Sequence, residues 1–216
     1  MIEEYKDKEN IEAIKKAYYK VFRNRDPYDE PFREDIECVL PLCLIDVEEQ
    51  EMYCFLRNKQ SMALSRVLIE INEKAFYASS LEYGKEIYEV VDENGNLYIS
   101  ATDAYGHTGI LGGNRYYKFS TPEEWEQNYN IFSLTHNAFY STKGEWGGVI
   151  SGEDPFVLLG GSREFINLFK KHYPEWEKDF QQMKDWYKLY LETEDDSNDV
   201  LWTRFVVPDA LKKGLI

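Results

Sequence analysis

Residues 149–172 read Val149-Ile150-Ser151-Gly152-Glu153-Asp154-Pro155-Phe156-Val157-Leu158-Leu159-Gly160-Gly161-Ser162-Arg163-Glu164-Phe165-Ile166-Asn167-Leu168-Phe169-Lys170-Lys171-His172. Two apolar runs, Val149-Ile150-Ser151 and Phe156 to Leu159, flank a polar Gly-Glu-Asp-Pro segment, the pattern of paired strands. From Ser162 onward Phe165, Ile166, Leu168 and Phe169 share a broad apolar face at helical spacing. This stretch predicts two strands and the helix that covers them.

Working outward, Pro174 separates that helix from a second over 175–192, where Trp176, Phe180, Met183, Tyr187, Tyr190 and Leu191 fit one stripe. Upstream, Ile87–Val91 and Leu97–Ser100 flank Asp92-Glu93-Asn94-Gly95-Asn96, and Asn-Gly between such runs predicts a hairpin. Thr121, Pro122 and Glu124 mark a helix start, with a short helix expected to about Phe132. Glu48 to Lys74 reads as one bent helix or two, with Met52, Phe55, Leu56, Leu64, Val67, Leu68 and Ile71 toward the core. Residues 36–45 are apolar but interrupted by Pro41, which suits an edge strand or an irregular core segment. Ile11, Ile14, Tyr18, Val21 and Phe22 define an amphipathic helix over 8–24, closed by Asp26-Pro27 and Glu30-Pro31.

Helices, then strands, then helices predict an α+β fold, with helices at both ends packed on a central, mainly antiparallel sheet. A length of 216 residues suits a single domain over 1–216, with a soft division near 75–85. Ile110-Leu111-Gly112-Gly113-Asn114-Arg115 echoes Leu158-Leu159-Gly160-Gly161-Ser162-Arg163. Both read as apolar strand ends followed by flexible Gly-Gly turns rather than as a duplication.

Charge sets the functional bounds. The chain has 40 Asp and Glu against 25 Lys and Arg, a net of −15. Such a field repels phosphate backbones and anionic membrane surfaces and speeds encounters with cationic partners. Nucleic acid and membrane are therefore not expected partners. A basic protein is. No run approaches the ~20 apolar residues of a membrane helix, and Met1 to Asp7 lacks the basic and apolar regions of a signal peptide. Cys38, Cys43 and Cys54 then read as reduced core thiols of a cytoplasmic protein. Their spacing and the three histidines give no metal site, and no cofactor is expected.

The chemistry-bearing motifs are sparse. Gly106 to Gly113 lacks the Lys-Ser/Thr of a phosphate loop and the order of a dinucleotide site. His107, His136 and His172 accompany no nucleophile elbow, and His172 suits the last turn of its helix. No catalytic residue is assigned. Glu145 beside Trp146, and Glu153-Asp154, are carboxylates that a glycan-directed site would use. They keep open an alternative, a small hydrolase or a binding domain for a neutral glycan or other small molecule. Read instead as a partner surface, Glu145, Glu153 and Asp154 join Glu192, Glu194, Asp195, Asp196 and Asp199, with Trp146 or Trp202 as aromatic anchors.

Glu145-Trp146-Gly147-Gly148-Val149-Ile150-Ser151-Gly152-Glu153, continued by the apolar strand, Gly160-Gly161 and Phe165, resembles a segment of bacterial immunity-type proteins. Those are small cytosolic partners of polymorphic or contact-dependent toxins. The resemblance covers about a tenth of the chain and implies binding and neutralising a toxin, without catalysis. It carries over no functional residue. Within it Trp146 and Ser151 also read as structural, the indole packing under the helix and the hydroxyl turning the strand end.

Overall fold

The computed structural model describes residues 3–4, 8–23, 31–46, 51–52, 56–80, 87–91, 97–101, 116–119, 137–150 and 156–193. In chain order the elements are β1 (Glu3–Glu4), α1 (Lys8–Val21), β2 (Cys38–Cys43), β3 (Ile45–Asp46), β4 (Glu51–Met52) and α2 (Asn58–Glu70). There follow β5 (Phe76–Ser80), β6 (Ile87–Val91), β7 (Leu97–Ala101), β8 (Tyr116–Phe119), β9 (Asn137–Ser141), β10 (Trp146–Ile150) and β11 (Phe156–Gly161). Two helices close the described chain, α3 (Arg163–His172) and α4 (Trp176–Thr193).

Seven strands form one antiparallel sheet in the order β1-β8-β5-β9-β10-β11-β2. The fold is α+β with helices at both ends, as the order of elements predicts. β5 lies between β8 and β9, so strands from both sides of residues 75–85 share this sheet.

Both faces of the sheet are covered. Leu40 and Leu42, Phe139, Trp146 and Ile150, and Val157 and Leu159 point to one side, where they pack with α2 and α3 through Leu64, Val67, Leu68, Phe165, Ile166 and Phe169. The alternate residues Val39, Ala138, Tyr140, Val149 and Leu158 point to the other side and meet α1 through Ile11, Ile14, Tyr18, Val21 and Phe22. Two-sided burial explains why β10 and β11 read as continuous apolar runs rather than alternating ones.

β2 is the last strand of the sheet, and Pro41 sits within it opposite Leu158. An edge strand has one side without a ladder partner, which is where a residue lacking an N–H is tolerated. Helix α4 packs beside β2, with Met183 buried against Cys43 and Phe156, so the edge is covered rather than open. Among the described residues no helix is long and apolar enough to cross a membrane.

Three expectations need correction or bounds. The helical reading of Glu48 to Lys74 begins too early: Glu51–Met52 pairs with Ile45–Asp46, and the helix starts at Asn58. Met52, Phe55 and Leu56 match helical spacing, but Arg57 has extended backbone (φ −62°, ψ 157°). Its N–H donates to Gln60 Oε1 at 2.9 Å, half of a capping box. Gly160 and Gly161 are not a turn either; they lie inside β11 opposite Val39 and Cys38. The 121–132 helix, Cys54 and the 110–115 half of the echo lie outside the described residues. The predicted hairpin is present as β6 and β7, from Ile87 opposite Ala101 to Val91 opposite Leu97.

Glycines within the strands make room for rings. A Cβ on Gly160 would stand 2.4 Å from Phe32 Cε1, and one on Gly148 would stand 2.1 Å from Cζ of Phe139, its cross-strand partner. The ring of Phe139 therefore lies across Gly148. Replacing Gly148→Ala should cost about 1–3 kcal/mol through overpacking, read as a lower urea midpoint at unchanged m-value. Adding Phe139→Leu should recover part of that loss; strict additivity of the two changes would contradict the contact.

Candidate functional site

Helix α2 ends with Asn72 in the left-handed region (φ 53°). Asn72 N–H donates to Ile69 O at 3.1 Å and Glu73 N–H to Leu68 O at 2.8 Å, the paired bonds of a Schellman motif with Asn in glycine's place. That turn aims Glu73 inward, where it is only 6 % exposed. Its Oε1 accepts from Ser141 Oγ (2.7 Å), Thr142 N (2.8 Å) and Thr142 Oγ1 (3.2 Å). Its Oε2 accepts from Trp146 Nε1 at 2.7 Å. Four donors on one buried carboxylate satisfy it and tie the end of α2 to β9, the turn after it and β10. Glu73 thus holds three elements in place.

Trp146 is 1 % exposed. Its indole stacks on Phe165 of α3 at 5.2 Å with a 6° interplanar angle and touches Phe76 and Phe139. This corrects the expectation of Trp146 as a partner-facing anchor, because a ring under a helix cannot meet a second protein. It also deprives the glycan reading of its aromatic platform. Glu145 is exposed in the turn between β9 and β10, so its neighbour in sequence points the opposite way.

A second polar cluster joins α2, α3, α4 and β2. Asp179, 1 % exposed, accepts from Arg57 Nη2 at 2.8 Å on Oδ1. Its Oδ2 accepts from Gln60 Nε2 (2.8 Å) and the Tyr173 hydroxyl (3.0 Å). Arg57 Nη2 also donates to the Tyr173 oxygen at 2.8 Å, and Gln60 Nε2 to Cys43 O at 2.9 Å. Burial pushes the Asp179 carboxyl above its ordinary value, against the pull of Arg57, Gln60 and Tyr173. Burial likewise raises the Tyr173 phenol, reinforced by Asp179. For Arg57 burial acts downward, but Asp179, Tyr173 and Cys43 outweigh it and the guanidinium is held more firmly protonated. The cluster fastens the first turn of α4 to the start of α2 and the end of β2.

Glu192 lies in the last turn of α4. Glu153, Asp154, Glu194, Asp195, Asp196, Asp199 and Trp202 lie outside the described residues. Among the described residues no group of His, Cys, Asp and Glu is placed to hold a metal ion.

Sequence reasoning missed Asp179 and Gln60, although both left a signal. Asp179 falls at the apolar spacing of Trp176, Phe180 and Met183, and Gln60 at that of Leu64 and Val67, and a polar residue inside such a stripe must be paired. Glu73 left none, since it lies beyond the helix whose end aims it.

Removing Asp179 by Asp179→Ala should destabilise the fold by about 3–5 kcal/mol, because Arg57 and Gln60 stay half-buried or buried without their acceptor. The double change Arg57→Met with Asp179→Leu should cost much less, and equal losses in urea melts would contradict the pairing. At the surface, Glu70 meets His172 and Lys171, and the His172 hydrogen bond, then Lys171, holds its carboxyl below the ordinary value of 4.5. The unfolded chain takes that proton first, so the contribution is complete above pH about 4.5 and is lost as pH falls through the folded value. The stability gap between the native chain and Glu70→Gln should close as pH drops from about 6 to about 3. Comparison with family models, with characterised proteins and with solved structures finds no match for this chain.

Proposed function

We propose that this chain is a non-enzymatic binding protein of the cytoplasm that neutralises a cationic toxin by direct contact. The observation that carries the reading is the charge of the chain, 40 Asp and Glu against 25 Lys and Arg for a net of −15. The run Glu192, Glu194, Asp195, Asp196 and Asp199 starts in the last turn of α4. A segment with this density of acids steers a basic protein and raises its association rate toward the electrostatic limit. The resemblance of residues 145–165 to immunity-type proteins points the same way. With Trp146 buried, Trp202 is the aromatic anchor that remains from the sequence reading.

Capture from a lysate of the source cells, at low and at high salt, should retain a basic protein at low salt and release it at high salt. That protein expressed alone should arrest growth, and co-expression of this chain should restore it. With the captured protein in hand, the triple variant Glu194→Lys, Asp195→Lys, Asp196→Lys should slow association by about tenfold and leave dissociation nearly unchanged. A captured protein that is not basic, or whose toxicity this chain fails to relieve, would overturn the proposal.

A further inference from the structure

Steering brings two proteins together but does not hold them; a short-range apolar contact does that. Trp146 cannot supply it. Helix α3, the end of α2 and Glu37 border a shallow, open groove of about 860 Å³. Its floor is Ile71 and Leu168, both half-buried and packed on the larger core cluster, which fixes their positions. Its rim carries Glu37, Glu70 and Glu164 against Arg163 and Lys171.

These charges are not equivalent. Lys171 and Glu70 lie 3.3 Å apart and neutralise each other, with His172 also on Glu70. Glu37 Oε2 accepts the Arg163 backbone N–H at 2.8 Å and keeps its other oxygen. The side chains of Arg163 and Glu164 make no hydrogen bond or ion pair with the described residues. Two carboxylates thus remain for a ligand, against one guanidinium.

We infer that this groove seats an aliphatic side chain of the cationic partner, with flanking Lys or Arg residues over Glu37 and Glu164. The openness of the groove favours a protein segment over a small molecule, since small-molecule sites enclose most of their ligand. A second copy of this chain would bring its own −15 charge to a rim already acidic, which disfavours self-association. The partner's identity rests on the proposed function; the groove's preference for a basic, aliphatic segment rests on its own lining. In kinetic terms the acidic run governs association, and the groove governs dissociation.

The test uses the full chain with labelled Ile and Leu methyl groups, titrated with the blocked tripeptide Lys-Leu-Lys and separately with Glu-Leu-Glu. Lys-Leu-Lys should shift the Ile71 and Leu168 methyl signals saturably, with Glu-Leu-Glu weaker by several fold. Glu164→Lys should weaken Lys-Leu-Lys about two- to fivefold, the range of an exposed ion pair, with an unchanged circular dichroism spectrum. No saturable shift at these two methyls, equal binding of both peptides, or shifts that track protein concentration alone would each overturn the inference. Salt-sensitive capture of a basic protein alongside a silent groove would remove the groove and leave steering intact. A responsive groove without such capture would do the reverse.

Discussion

The contact between the Glu73 carboxylate and the Trp146 indole fixes how the end of α2 and the start of α3 sit on the sheet. A carboxylate taken out of water needs donors on both oxygens, and here they come from β9, the turn after it and the first residue of β10. The end of α2 is thereby fixed to the middle of the sheet. The same indole presents its face to Phe165, so α3 takes its place from the ring that Glu73 holds. One acid at a helix end aligns two helices and two strands.

The opposite face is organised without charge. Tyr18, Phe22, Phe32 and Tyr140 meet at centroid separations between 4.6 and 5.9 Å, and the absence of a side chain at Gly160 lets Phe32 approach the sheet. The third support is α4, whose first turn is tied down by Asp179 and whose Met183 packs on β2. Polar fixation on one face, aromatic packing on the other and an ionic fastening at the edge divide the work of specifying one arrangement.

Periodicity made α1, α3, α4 and the β10–β11 pair legible, because in each the spacing of apolar residues has one reading. It failed at Glu48 to Lys74, where a two-residue strand and the start of α2 carry apolar residues at the same intervals. It misjudged Gly160 and Gly161 because the reason for glycine there is a ring against the strand, Phe32 from far away in sequence at Gly160 and Phe165 from the following helix at Gly161. The same limit hid the site-level facts: Trp146 could be an anchor or a core ring, and only the place of Glu73 decides between them.

The two-sided burial of the sheet has a consequence for how this protein can change over generations. Every residue of β10 and β11 is buried, so neither parity of these strands offers a solvent-facing position where a polar side chain is harmless. Substitution there is confined to apolar exchanges of similar volume. The centre of the sheet must therefore change slowly, and in step with the helices on both of its faces.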